Sequence, residues 1–310
     1  MHQNMQEKER GKIMSLMSFL YRRGCGKSDK KRDEGLTTPS DIKRFDNISY
    51  GAKKEQLLDV YRPKGEDGAL PVIVSVHGGG WIYGDKDVYQ WYCMSLAQRG
   101  FAVVNFTYRL APEHKYPAAI EDTNLVFEWI RENAQLYGFD TENVFAVGDS
   151  AGGHMLSVYA AMKTNTEYAA QYDFPVEKNI KLNAVALNCG KYDMIGILES
   201  ENKQEQKMMK MILPQKGTEK EMHWVTPLEH MTGDFPPTYI MTSNDDFLKE
   251  EAPKLEAKLK ELGVEYKYKE YGDENEKLGH VFHCNIKTES ARKCNDDECE
   301  FFRSHTCQAD

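Results

Sequence analysis

A chain of 310 residues with a net charge of −9 is long enough to bury a sizeable core and carries no global basic field, so its charge gives no support to nucleic-acid binding. Seven cysteines, at positions 25, 93, 189, 284, 294, 299 and 307, form an odd set without Cys-x-x-Cys or disulfide-dense spacing, which predicts free thiols in a reducing cytoplasm. The tail of Cys294, Cys299, His305 and Cys307 has the wrong spacing for the common zinc modules, and no metal site is expected.

Residues 1–45 read as a charged, partly helical extension that could contribute to a cap. Its apolar run, 13–21, is too short to span a bilayer and lacks a small-residue cleavage site, so an amphipathic helix packed on the domain is expected. Gly24-Cys25-Gly26-Lys27-Ser28 ends like a P-loop, but Tyr21 stands where the earlier glycine is required and no strand precedes it. The charge run 27–34 reads as a solvated linker.

Residues 46–310 are assigned to one domain, and from residue 55 short apolar runs alternate with helical stretches, the texture of βαβ units and a parallel sheet. Strands are predicted over 57–61 (early and antiparallel), 71–77, 101–108, 144–147, 182–187, 238–241 and 264–271. Helices are predicted over 88–99, 118–137, from 155 onward, 250–262 and 288–304, several of them stopped by glycine. The apolar strands are nearly continuous, as strands buried on both faces must be. The fold class is therefore α/β: a mostly parallel central sheet with helices on both faces. Segment 191–235 is too long for a structureless loop and rich in methionine, which predicts an inserted helical lid or small cap.

Gly148-Asp149-Ser150-Ala151-Gly152-Gly153 joins an apolar strand to a helix, the setting in which Gly-x-Ser-x-Gly presents a serine on a strained turn. Acyl transfer by Ser150 then needs a base, an acid to orient it and donors for an oxyanion. His77-Gly78-Gly79-Gly80-Trp81 follows directly on a strand, and Gly78 and Gly79 N–H groups, with Ala151 N–H, are expected to bind the oxyanion. Asp245 and Asp246 lie just past the carboxyl end of a strand, the edge where α/β sheets build sites. Neighbours in an extended segment point opposite ways, so only one of the two can face a histidine; the family resemblance given below selects Asp246 as the acid, and His280 is preferred to His283 as the base. The chain order Ser, Asp, His is that of α/β-hydrolases.

These motifs resemble the hormone-sensitive-lipase-like branch of the α/β-hydrolase esterases across roughly residues 55–285. His77-Gly78-Gly79-Gly80-Trp81 is similar to its oxyanion loop and Gly148–Gly153 to its elbow. Tyr108-Arg109-Leu110-Ala111-Pro112-Glu113 resembles the segment that buttresses that loop, while Asp246-Phe247-Leu248 and His280-Val281-Phe282 occupy the places of the acid and base motifs. Phe247 and Val281 replace the proline and glycine common in the family, and His154 stands where a small amide is frequent.

The resemblance implies a serine carboxylesterase with an acyl-enzyme intermediate, acting without cofactor or metal on a small-molecule ester. Trp81, Tyr83 and His154 are expected to line the substrate pocket, and Met208, Met209, Met211 and Ile212 to close over the acyl group, favouring acetyl to butyryl. A catalytically inactive binding homologue on the same fold and a peptidase or amidase are the competing readings. No membrane span is expected, and the sequence leaves a homo-oligomer open.

Overall fold

The computed structural model describes residues 16–307, so residues 13–15 of the N-terminal apolar run lie outside the described part. One eight-stranded sheet organises the chain. Its strands are β1 (Ile42–Ser49), β2 (Leu57–Pro63), β3 (Leu70–Val76), β4 (Ala102–Phe106), β5 (Phe139–Asp149), β6 (Ala184–Asn188), β7 (Thr238–Ser243) and β8 (Tyr266–Tyr271). Their spatial order is β1-β2-β4-β3-β5-β6-β7-β8; β2 runs antiparallel to both neighbours, and every pairing from β4 to β8 is parallel.

The helices are α1 (Leu16–Asp33), α2 (Lys86–Ala97), α3 (Ala118–Tyr137), α4 (Ala151–Thr164), α5 (Thr166–Ala169), α6 (Gly196–Glu199), α7 (Lys203–Ile212), α8 (Glu219–Trp224), α9 (Glu251–Leu262) and α10 (Glu289–Arg303). Local chemistry sets several of their ends. Asp85 caps α2 through Val88 N–H, and α3 and α9 stop at Gly138 and Gly263 in the left-handed conformation.

Alternation along each strand divides the core in two. Val72, Val74 and Val76 of β3 face Ile120, Phe127, Met155 and Leu255 from α3, α4 and α9, while Ile73 faces the opposite side with Tyr92, Cys93 and Phe302 from α2 and α10. Both faces are covered, which is why the central strands are continuous apolar runs.

Two N-terminal expectations need correcting. Strand β1 starts at Ile42, inside the stretch assigned to the extension; only Ile42 of its eight residues is buried, so an edge strand with charged side chains gave no apolar alternation to read. The charge run 27–34 is not a solvated linker, because α1 continues to Asp33 and its charged groups are used. Arg32 donates to Val88 O at 2.8 Å, and Asp29 accepts from Tyr83 at 2.7 Å.

Segment 191–235 forms α6, α7, α8 and a short 3-10 turn at Pro227–Glu229. Thr218 and Glu221 make a capping box at α8. Met209, Ile212, Met222 and Val225 are buried in the same core as α3 and α4, each worth roughly 1.5–3 kcal/mol by removal from water. Backbone bonds complete the attachment: Tyr116 N–H donates to Ile212 O at 3.0 Å, and the Tyr168 hydroxyl to Trp224 O at 2.7 Å.

Candidate active site

At the carboxyl end of β5 the chain turns through Ser150, which has φ 51° and ψ −118°, and enters α4 at Ala151. A Cβ on Gly152 would lie 2.0 Å from Val76 O, so this approach of helix to strand tolerates no side chain. Ser150 N–H donates to Asn188 O at the end of β6 (2.9 Å), which fixes the strained turn against the sheet.

His280 comes down over this turn from the segment after β8. Its Nε2 lies 2.9 Å from Ser150 Oγ and its Nδ1 2.7 Å from Asp246 Oδ1. A carboxylate only accepts, so Nδ1 carries the proton and Nε2 is left to accept from the serine hydroxyl. Asp246 also accepts from Leu248 N–H at 2.8 Å. Burial pushes this carboxyl up, but the hydrogen bond and charge of His280 outweigh it and hold Asp246 below the usual carboxylate range.

The neighbours do not compete. Asp245 is exposed and pairs through its backbone with Leu278 and Gly279. His283 is fully buried beside Cys284 and Tyr92, and burial pushes its imidazole down to about 3. Phe247, which is 76% exposed, sets its ring 4.2 Å from that of His280. Val281 adopts φ 53°, the left-handed conformation that a glycine would take without strain.

The oxyanion loop requires one correction. Gly78 N–H does not face outward: it donates to Asp149 Oδ1 at 3.1 Å and to the Tyr89 hydroxyl at 3.0 Å, and Tyr89 in turn donates to Asp149 Oδ2 at 2.6 Å. A buried carboxylate on the elbow thus ties down the loop's first glycine. Burial raises the Asp149 carboxyl to about 6 despite these donors. The N–H groups of Gly79, Gly80 and Ala151 donate to no acceptor among the described residues, which leaves them as the donors available to an oxyanion. Gly79 has φ 123°, and a Cβ there would strike Tyr83 O at 2.1 Å.

The loop is braced from behind by the Tyr108–Glu113 segment. Tyr108 stacks on His77 with centroids 4.0 Å apart and donates to His77 O at 2.8 Å; Ala111 N–H donates to Trp81 O at 3.1 Å. Arg109 is held by Asp122 and Glu121.

Of the three expected pocket residues, His154 is a brace and not a lining group. It is 2% exposed, its Nδ1 accepts from Trp81 Nε1 at 3.1 Å, and its Nε2 donates to Val225 O at 2.7 Å. Both ring nitrogens are therefore used in joining the oxyanion loop, the elbow helix and the cap. Burial lowers its imidazole to about 4, keeping it neutral. Trp81 is half-buried beside it. Tyr83 turns to α1, where its hydroxyl bonds Asp29, so it too is spent on support.

Two side chains stand next to the loop, Met208 of the expected lid and Tyr21, which no site motif singled out: a Cβ on Gly80 would lie 2.9 Å from the Tyr21 hydroxyl of α1 and 3.6 Å from Met208 Cε of α7. Arg22 fastens α1 there through Ile82 O (2.6 Å), Ala111 O (3.0 Å) and Glu113. A wide cleft of about 1070 Å³ lined by Tyr172, Phe174, Asn183 and Pro236 lies elsewhere. Asn183 and Pro236 precede β6 and β7, so this cleft opens at the amino ends of the strands, away from Ser150.

A family model described as BD-FAE matches residues 58–259. Versiconal hemiacetal acetate esterase of Dothistroma septosporum is 31% identical over 232 residues, covering 68% of this chain and 67% of that protein. Esterase LipC of Mycobacterium tuberculosis is 26% identical over 64% of this chain, which spans only 50% of the length of LipC. Among solved structures, an inhibited esterase B of Lactobacillus rhamnosis superposes with a TM-score of 0.86 at 24% identity, over 93% of this chain and 95% of that one. An esterase of Pyrobaculum calidifontis gives 0.75 at 21% identity over 97% of each chain. These last two likenesses speak to the fold.

Proposed function

From a chain that belongs to the BD-FAE family, in the hormone-sensitive-lipase-like branch of the α/β-hydrolase esterases, we infer a carboxylic ester hydrolase working through Ser150, His280 and Asp246 on esters of short acyl groups. Ser150 Oγ attacks the acyl carbon as His280 Nε2 takes its proton, and the carbonyl oxygen becomes an oxyanion facing the N–H groups of Gly79, Gly80 and Ala151. His280 then returns the proton to the leaving alkoxide as alcohol departs. A water attacks the acyl-enzyme by the same route, releasing the acid and restoring Ser150. Asp246 holds Nδ1–H throughout and steadies the imidazolium that forms twice in the cycle.

The observation that carries this reading is the continuous relay from Asp246 Oδ1 through both nitrogens of His280 to Ser150 Oγ, at 2.7 and 2.9 Å, beside unpaired backbone donors. The short acyl preference is supported by Tyr21 and Met208, which crowd the loop at Gly80. A cytoplasmic location is supported by the seven cysteines, all free. Among the described residues no helix is long and apolar enough to cross a membrane.

The test is fluorophosphonate labelling followed by kcat/KM on aryl esters graded from acetyl to decanoyl. Labelling at Ser150 with a maximum between acetyl and butyryl is expected. A folded protein that does not label is the inactive binding homologue, and a preference rising through decanoyl would make it a long-chain lipase.

A further inference from the structure

We propose that Cys189 is a positioning residue for the triad acid: its S–H donates to the Asp246 carboxylate and fixes the plane of that group against His280. The inference rests on Asp246 serving as the triad acid.

Cys189 directly follows β6 and is 2% exposed. Its thiol and the ligand atoms of Asp246 and His280 all lie within 4.8 Å of one another. The carboxylate has unequal support. Oδ1 takes two short bonds, from His280 Nδ1 and Leu248 N–H, whereas Oδ2 receives only a long one of 3.4 Å from the Thr242 hydroxyl. Oδ2 thus has a single weak donor, and the thiol, within 4.8 Å of the carboxylate, is the neighbouring group that can supply a second. The acceptor the thiol meets in the structure, Met241 Sδ at 3.9 Å, is far poorer than a carboxylate, and rotation of the S–H alone turns it to Asp246.

The backbone at this position is strained. Cys189 sits at φ 49°, where a residue with a Cβ is disfavoured, and it is held there by a 2.7 Å bond from its own N–H to Met241 O on β7. The residue before it, Asn188, accepts from Ser150 N–H through its carbonyl. One two-residue corner therefore supports the nucleophile by its backbone and the acid by its side chain. Burial, with the adjacent Asp246 charge, pushes the thiol well above its ordinary range, so it stays protonated as a donor and is no nucleophile.

The experiment compares Cys189→Ala and Cys189→Ser in the parent and in Asp246→Asn, reading kcat, KM and the rate of fluorophosphonate labelling, with thermal unfolding as the check on folding. Asp246→Asn alone tests the underlying reading; if it keeps full activity, Asp246 is not the acid. Given a loss there, Cys189→Ala in the parent should lower kcat and labelling about 5- to 20-fold with KM within about twofold, and Cys189→Ser should recover most of that loss. In Asp246→Asn the same Ala substitution should cost less than about twofold, because the amide no longer needs the donor. Cys189→Ala without effect in the parent, or with an equal loss in both backgrounds, would overturn the inference, the second outcome showing that the thiol only fills space.

Discussion

The carboxyl edge of the sheet and the cap above it are built by different means. At the edge, side chains are set by backbone strain: Trp81, Ser150, Cys189 and Val281 account for four of the six non-glycine residues with positive φ among the described residues, and all four belong to the loops around the relay. Three of them are held by a strand end or a buried polar group: Ser150 by Asn188 O, Cys189 by Met241 O and Trp81 by His154. The cap and α1 instead rest on apolar burial of Met209, Ile212 and Met222 and on a few anchors such as His154 to Val225 and Arg22 to Ile82. The edge is over-determined for one geometry. The cap and α1 are determined in their attachment, while the side chains they turn toward the loop, Met208 and Tyr21, are only partly buried.

The largest effects should come from the edge. Ser150→Ala removes the bond-forming hydroxyl and little buried area, so kcat should fall by about 10⁴ to 10⁶ with unfolding unchanged. Asp246→Asn should be worse than Asp245→Asn by about 10³ to 10⁴, since only the buried carboxylate meets His280. His280→Ala should abolish turnover, whereas His283→Ala should show mainly as lost stability. Steady-state kinetics on these variants would break the assignment if Asp245 or His283 proved the more damaging.

A second prediction probes the edge's buried support. Glu298 on α10 is fully buried, accepts from Tyr92 at 2.8 Å and from Asn188 at 2.6 Å, and burial raises its carboxyl to about 7. The folded state thus holds this proton more tightly than the unfolded chain. Its contribution is full below about pH 4.5 and is lost as pH rises through about 7. Glu298→Gln carries no charge to bury and keeps the shape of the side chain. The variant should therefore gain on the parent as pH rises from 4.5 to 8, by up to about 3 kcal/mol, with no difference in this term below pH 4.5. Denaturant unfolding at pH 4.5 and 8 checks it; a gap that fails to widen with pH would show that the carboxyl is not held protonated.

The same contrast explains what could be read from the sequence. The strands, the elbow and the order Ser150, Asp246, His280 are written in local patterns: apolar runs ended by glycine, with the polar groups at strand ends. Whether Gly78 N–H faces a substrate or a carboxylate 71 positions away is a tertiary matter, and a glycine triplet cannot display it. Likewise His154 looks like a pocket residue until Val225, far along the chain, claims its second nitrogen. Strand β1 and the charged end of α1 escaped because their side chains make specific polar contacts in place of an apolar stripe.

The smallest effect, and the one that sharpens the contrast most, belongs to the cap. Met208 lies on the exposed α7, half-buried, with its methyl beside Gly80, while its neighbour Met209 faces the core. Adjacent helical positions point about 100° apart, so trimming Met208 should widen the space at the loop and leave the attachment through Met209 and Ile212 in place. Met208→Ala should keep kcat/KM on acetyl esters within about threefold and raise that on hexanoyl relative to butyryl by about 5- to 10-fold, since each methylene newly accommodated is worth roughly 1 kcal/mol or more. Met209→Ala should do the reverse, leaving the acyl profile alone and costing about 2–5 kcal/mol of stability as a core truncation. Acyl-length profiles and unfolding curves for the two variants separate the roles, and equal shifts in acyl preference would mean that the cap moves as a body and that its inner face is not independent of its anchors.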